Sequence, residues 1–230
     1  FRNIIINGDM SLAQRATSET GITNASGDVF VADRFCWSES GGMTSQFTMS
    51  QDTDVPAGYG FAKSLKLDCT TTDTPATTER IRIETRFEGQ NLQYLKKGTA
   101  NAESWTISFW VKSVKTGTYI VNFKDEDNTR IVSKAYTISS ANTWEKKIVT
   151  VAPDTTDPFD NDNAHSLTVA WILSAGSSLQ SGSLADVWQD YANANYAAGQ
   201  VNFADNTANN FWITGVQLEA GTTASDFEFL

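Results

Sequence analysis

The sequence predicts an all-β protein whose antiparallel strands pack as a sandwich or a barrel. Strand-like runs recur about every ten to fifteen residues, with Gly, Asn or Asp between them. The clearest runs alternate apolar and polar residues with period two, which gives a strand one buried face. The 230 residues are 40% hydrophobic and 19% charged, with seven Trp, six Tyr, thirteen Phe and only four Pro. That is enough large apolar area for a core and excludes general disorder. Thr, Ser, Asn and Gly fill the remainder, which suits short strands and polar turns better than long helices.

In chain order, the β-branched run Asn3-Ile4-Ile5-Ile6-Asn7 reads as a first strand closed by Gly8-Asp9. Residues 29–38, 44–50 and 64–70 follow, the last alternating Leu65, Leu67 and Cys69 against Lys66 and Asp68. In residues 80–88, Ile81, Ile83 and Phe87 face one way, while Arg80, Arg82, Glu84, Arg86 and Glu88 face the other. In residues 105–112, Trp105, Ile107, Phe109 and Val111 share a face opposite Thr106, Ser108, Trp110 and Lys112. These two apolar rows are expected to meet in the core of face-to-face antiparallel sheets. Further strands fall at 118–124, 130–138, 144–151, 166–173 and 210–218, and Asp125-Glu126-Asp127-Asn128 reads as a hairpin tip. Two long connections, 152–164 and 174–209, break the rhythm, and residues 185–191 fit one short helical turn. Without an internal repeat, low-complexity tract or charge block, one domain over residues 1–230 is the economical reading.

Seventeen Lys and Arg against twenty-seven Asp and Glu give a net charge of −10. Such a surface repels a phosphate backbone, which argues against nucleic-acid partners and against peripheral membrane binding. No run of about 18 apolar residues exists, so membrane insertion is not expected. The start at Phe1-Arg2-Asn3 shows neither an initiator Met nor signal-peptide features, so the chain reads as part of a longer one. Cys36 and Cys69 are too few for a disulfide scaffold; buried free thiols are expected, with one cross-strand disulfide as the alternative.

His165, the single His, stands at a loop-to-strand junction where exposure or a turn contact is the expectation. That placement of the only His, with no G-x-S-x-G, H-E-x-x-H or Gly-rich phosphate loop, argues against triad hydrolases, zinc proteases and phosphate-loop enzymes. Two carboxylates suffice for a glycosidase, but among twenty-seven acids suitable pairs arise by chance. Asp157, Asp160 and Asp162 alternate like half of a calcium loop, but the central Gly and bidentate Glu are missing, and an ordinary Asx-rich turn has the same sequence. Carbohydrate binding pairs aromatic faces with polar clamps. Trp110, projecting from the polar side of its strand beside Arg80, Arg82, Glu84 and Arg86, suits that task, as do Trp188, Tyr191 and Tyr196 in the long loop. Each has a plainer reading: an aromatic buried under a loop or interface, and a solvated or oligomer-facing charged row. Trp105, Trp171 and Trp212 are expected in the core, and Trp37 and Trp144 as caps at strand ends.

Arg2-Asn3-Ile4-Ile5-Ile6-Asn7-Gly8-Asp9-Met10, then Ala13-Gln14-Arg15 and Asp33-Arg34-Phe35, resembles the opening of C-terminal domains in phage tail-fibre and related virion proteins. Phe211-Trp212-Ile213-Thr214-Gly215-Val216-Gln217-Leu218-Glu219, then Asp226-Phe227-Glu228, resembles their closing strand. Ser64-Leu65-Lys66-Leu67, Phe87-Glu88-Gly89-Gln90-Asn91, Ser108-Phe109-Trp110-Val111-Lys112 and Asn142-Thr143-Trp144-Glu145-Lys146 fall between them in the same order, so the resemblance covers nearly the whole chain. The skeleton is also similar to jelly-roll carbohydrate-binding modules. The resemblance implies an antiparallel jelly-roll β-sandwich without enzymatic activity, located in a virion (tail fibre or capsid surface) and assembled in the host cytoplasm. Its implied partners are host surface polysaccharide, other virion proteins and two further copies in a homotrimer. No cofactor is implied except a structural calcium. For that ion Asp9 matches the modules' pattern, whereas Ser11 and Thr214-Gly215 stand where acids are common. A structural capsid-decoration or fibre-assembly domain without a glycan site is the competing class, followed by a carbohydrate-binding module of a secreted enzyme.

Overall fold

The structure, a computed structural model, describes residues 3–229; Phe1, Arg2 and Leu230, including the Arg2 of the opening motif, lie outside the described residues. The described strands are β1 Ser18–Ile22, β2 Val29–Phe30, β3 Cys36–Ser40, β4 Gln46–Asp52, β5 Ser64–Thr71, β6 Arg80–Glu88 and β7 Trp105–Ser113. They continue with β8 Gly117–Asp125, β9 Arg130–Ile138, β10 Glu145–Val151, β11 His165–Ala175, β12 Gln189–Asp190 and β13 Asn210–Ala220. One sheet runs β1-β4-β5-β13-β7-β10 and the other β12-β9-β8-β11-β6-β3-β2. Every pairing is antiparallel and the chain passes repeatedly from sheet to sheet, the jelly-roll form of a β-sandwich.

The apolar rows meet as the alternation requires. Ile81, Ile83, Phe87, Ile107, Phe109 and Val111 are all buried in one cluster between the sheets. Phe109 sits at its centre, edge-on to Tyr136 at 5.1 Å and Trp171 at 5.7 Å, a geometry that adds to the burial of three large rings. Trp105 and Trp171 are core residues as expected. Trp37 is no strand-end cap: β3 turns it inward, 6.1 Å from the Phe47 ring. Trp212 is buried but on the outer side of its sheet, where Lys112 Nζ lies 4.2 Å over its ring and its Nε1 donates to Asp52. Cys36 and Cys69 are buried free thiols on opposite sheets, and burial together with Glu84 pushes the Cys36 thiol up to about 12.

Several boundaries differ from the expectation. Residues 3–7 form no strand, because Asn3 Oδ1 accepts from both Ile5 and Leu218 amides and Asn7 takes a left-handed φ of 61°. The run 29–38 is split into β2 and β3 by a turn in which Arg34 has φ 73°. Residues 185–191 form no helical turn: Gln189 and Asp190 pair with β9 as an edge strand, and 3-10 turns follow at Asn193–Asn195 and Phe203–Asp205. β1 and β12 carry too few apolar residues to be legible beforehand.

The opening and closing motifs are one structural unit. The Ile4 amide donates to the Leu218 carbonyl at 3.1 Å, and the Val216 amide to the Gly8 carbonyl at 2.9 Å. A Cβ on Gly8 would collide with the Val216 carbonyl oxygen. Gly215, at the bulge of β13, has φ 61°, and a Cβ there would stand 2.6 Å from Phe61 and 3.0 Å from Trp110. Both glycines are therefore required by close approach.

Replacing Phe109 by Ala is expected to lower unfolding free energy by ~3–5 kcal/mol through lost burial and a residual cavity. Equilibrium urea unfolding measures this, and an unchanged midpoint would place the ring outside the core.

Candidate functional site

The outer face of the second sheet is divided in two. On β8, β9 and β11 it carries Ile120, Ile131, Ala170 and Ile172, which need cover. The connection 176–209 supplies it, laying Leu179, Ala185, Tyr196 and Ala197 onto them as a second apolar cluster. This long loop is stitched down by its own polar groups. Gln200 Oε1 accepts the Ile120 amide, Ser133 Oγ donates to the Tyr196 carbonyl, and the Ala197 amide donates to the Leu179 carbonyl.

Where that cover stops, a cleft of about 290 Å³ opens, walled by Tyr191 and Tyr196 and floored by outward residues of β6, β8 and β11. Cross-strand register sets Asn122, Ala170 and Glu84 in one row. Ala170, the smallest of the three, makes the depression. Glu84 is 1% exposed, and its carboxylate is held between Arg82 and Arg86. Arg86 also pairs with Asp28 at 2.7 Å. Lys124 pairs with Glu126, whose Oε1 accepts Thr168 Oγ1 at 2.7 Å; Thr168 Oγ1 in turn accepts from His165 Nε2 at 2.9 Å. Burial, with Arg86 adding to it, keeps the His165 pKa below its ordinary value, so the ring is neutral at pH 7. Burial opposes ionisation of Glu126, but hydrogen bonds from Lys124 and Thr168 outweigh it and keep this carboxyl below its usual range.

Two groups in the cleft are left without partners. Asn122 is 1% exposed, and neither its Nδ2 nor its Oδ1 makes a hydrogen bond. Arg80 Nε is likewise buried and unpartnered, while its guanidinium carbon lies 5.0 Å over the Tyr196 ring and Nη1 donates to Tyr191 Oη at 3.3 Å. A buried amide with both donor and acceptor unmet costs about 1–3 kcal/mol per group unless something binds it.

The structure thus brings Arg80, Arg82, Glu84, Arg86, Tyr191 and Tyr196 to one place. Trp110 and Trp188 are elsewhere. Consecutive strands β6 and β7 lie in different sheets, so Trp110 is on the opposite side of the sandwich, under the Tyr59 ring at 4.4 Å, rather than beside the Arg/Glu row. Trp188 packs edge-on against Trp105 at 5.3 Å, and its Nε1 donates to the Ala152 carbonyl. The cleft also takes in Asn122, Lys124, Thr168 and Ala170, which no sequence motif marks, and Glu126, which the sequence marks only as part of a hairpin tip. Period two in 118–124 already turns Asn122 and Lys124 outward, but nothing local places β8 and β11 beside β6.

Among the described residues no group of three or more Asp, Glu, His or Cys side chains converges to hold a metal. Asp9 Oδ1 accepts from Ser11, Asp162 Oδ1 from the Ala164 amide, and Asp160 meets Asp127 through its backbone amide. Beside the Asp157 backbone a buried ammonium gathers two other carboxylates. Lys97 Nζ, its side chain 1% exposed, contacts Asp125 Oδ2 at 2.7 Å, Asp154 Oδ2 at 3.2 Å and the carbonyls of Thr156 and Asp157. Arg130 completes the cluster by binding Asp154.

No protein-family model and no curated protein matches the chain. Solved structures similar to it include the enzymatically active domain of tailspike protein 4 of bacteriophage CBA120, at 14% identity and TM-score 0.44. That likeness covers 87% of this chain and 21% of the other, so the chain spans about a fifth of the tailspike's length. A CBM4 is 14% identical with TM-score 0.44 over 94% of this chain and 99% of its own. A family 11 carbohydrate-binding module of Clostridium thermocellum, in complex with a mixed-linked tetrasaccharide, is 10% identical with TM-score 0.41 over 91% and 99%. These are likenesses of architecture.

Lys97→Met is expected to destabilise the fold by ~3–5 kcal/mol, because it leaves Asp125 and Asp154 buried together without their ammonium. Burial opposes ionisation of Asp154, but Arg130, the Thr156 amide and Lys97 hold it below its ordinary 3.8. A depressed carboxylate stabilises the fold above its unfolded pKa and loses that contribution as pH falls through the folded one. Stability should therefore drop below about pH 4, with a shallower slope in Arg130→Met, as urea midpoints across pH 2–6 would measure.

Proposed function

We propose that the cleft on the outer face of the second sheet is a glycan-binding site and that the protein is a non-catalytic binding module. The observation that carries this is Asn122, a buried amide lining the cleft with donor and acceptor both unpartnered. Vicinal hydroxyls of a pyranose offer both roles at once, and amides read them by paired hydrogen bonds. The Tyr191 and Tyr196 rings beside it supply an apolar wall for sugar C–H groups.

The carboxylates support binding without hydrolysis. A glycosidase needs one carboxyl that keeps its proton near neutral pH. The two that line the cleft are Glu84, held by two guanidinium groups, and Glu126, held below the usual range by Lys124 and Thr168.

The sequence resemblance supports placing such a module at the receptor-binding tip of a phage tail fibre, where it meets host surface polysaccharide. Three copies on one fibre supply the avidity that a shallow single site lacks. A glycan-array screen of the purified chain is expected to return saccharide ligands. Asn122→Ala and Tyr196→Ala are each expected to weaken the best of them by about tenfold or more, while Trp110→Ala, on the other sheet, leaves binding unchanged. An empty array, or variants that bind like the parent, would favour the structural decoration or assembly role.

A further inference from the structure

The cleft does not end at Arg86. That side chain also lines a second and larger cleft of about 480 Å³, bounded by the N-terminal segment with Ile6, Leu12 and Arg15, by Phe30 of β2 and by Arg34. The two lie on one line across the sheet: the row Asn122, Ala170, Glu84 continues to Cys36 on β3, which lines the second cleft. From β8 to β2 the row crosses four strand spacings, about 19 Å. That is the length of an oligosaccharide segment, not of one sugar.

The lining of this line is basic in an acidic protein. Six cationic side chains (Arg15, Arg34, Arg80, Arg82, Arg86 and Lys124) stand against three carboxylates, Asp33, Glu84 and Glu126, although acids outnumber bases by twenty-seven to seventeen in the chain. The central charges are already paired: Glu84 with Arg82 and Arg86, Glu126 with Lys124. Three outlying guanidinium groups are not. Among the described residues Arg80, on β6 four residues before Glu84 and beside the Tyr196 ring, makes no ion pair; in the second cleft Arg15 makes none and stacks 4.6 Å over Phe30, and Arg34 makes none. Unpaired guanidinium groups on aromatic supports in both clefts are suited to bidentate carboxylate recognition.

Resting on the glycan reading above, we infer that the ligand is an anionic polysaccharide, a chain carrying uronate-type carboxylates. It crosses the sheet from Tyr196 to Phe30, with its carboxylates on Arg80 and on Arg15 or Arg34 and its hydroxyls on Asn122. The charge concentrated here gives the ligand a favourable approach to a protein of net charge −10.

The test is titration calorimetry of the intact chain with uronate oligosaccharides (oligogalacturonate, oligoalginate and hyaluronan oligomers) and with their carboxyl-reduced counterparts of equal length. At least one acidic oligomer is expected to bind tenfold or more tightly than its reduced form, with affinity falling steeply from 50 to 200 mM salt. Arg80→Ala and Arg15→Ala should each cost about tenfold for the acidic oligomer and little for the reduced one, with Arg80→Lys intermediate because it keeps charge but not the fork. Equal affinity for acidic and reduced forms, or indifference to both Arg variants, would overturn the anionic assignment and leave the glycan site standing. If no saccharide binds, acidic or neutral, the glycan reading itself falls. Loss of binding to an oligomer of one or two sugars as large as that to a longer one would restrict the site to the Tyr196 end and overturn the extended groove.

Discussion

A sheet face that is apolar at one end and charged at the other cannot be covered evenly, and the cleft of this molecule follows from that constraint. Ile120, Ile131 and Ile172 expose apolar area unless another segment lies on them, at roughly 25 cal/mol for each Å² left in water. Arg82, Glu84, Arg86 and Lys124, on the same face, are costly to desolvate under an apolar loop. The 176–209 connection therefore stops at Tyr191 and Tyr196, residues with an apolar ring for the covered side and a hydroxyl for the open one. The step between covered and open surface is the cleft.

Paired charges make that arrangement rigid. Glu84 is tolerable at 1% exposure because two guanidinium groups saturate its carboxylate, and they in turn are fixed in place as the floor of the cleft. The same solution recurs at the end of the sandwich. Lys97 gathers Asp125 at the hairpin tip, Asp154 and the Thr156 and Asp157 carbonyls, with the Phe159 and Trp188 rings 5.1 and 5.3 Å from its ammonium. That ammonium ties the start of the 152–164 loop to the hairpin tip and packs against Trp188, which is a packing residue despite its place in the long loop.

Sequence alone determined the strands with strong alternation. β5, β6 and β7 stand where period two put them, and their inward residues form the core, since a strand with one apolar face has a single way to bury it. It also marked the opening and closing motifs, whereas the cross-strand disulfide it left open is ruled out by the sheets, since Cys36 and Cys69 are free thiols on opposite ones. Short edges such as β12, and the turns at Asn3–Asn7 and Arg34, were illegible because side-chain hydrogen bonds and positive φ angles decide them against propensity. Only the tertiary structure decided which polar faces share a side of the sandwich. Trp110 and the Arg/Glu row are neighbours in sequence but belong to opposite sheets, while Arg80 and Tyr196, 116 residues apart, stack. Alternation reports which face of a strand is buried, a local property of the backbone pleat. Strand order is set by cross-strand pairing between distant segments, and no local pattern encodes it.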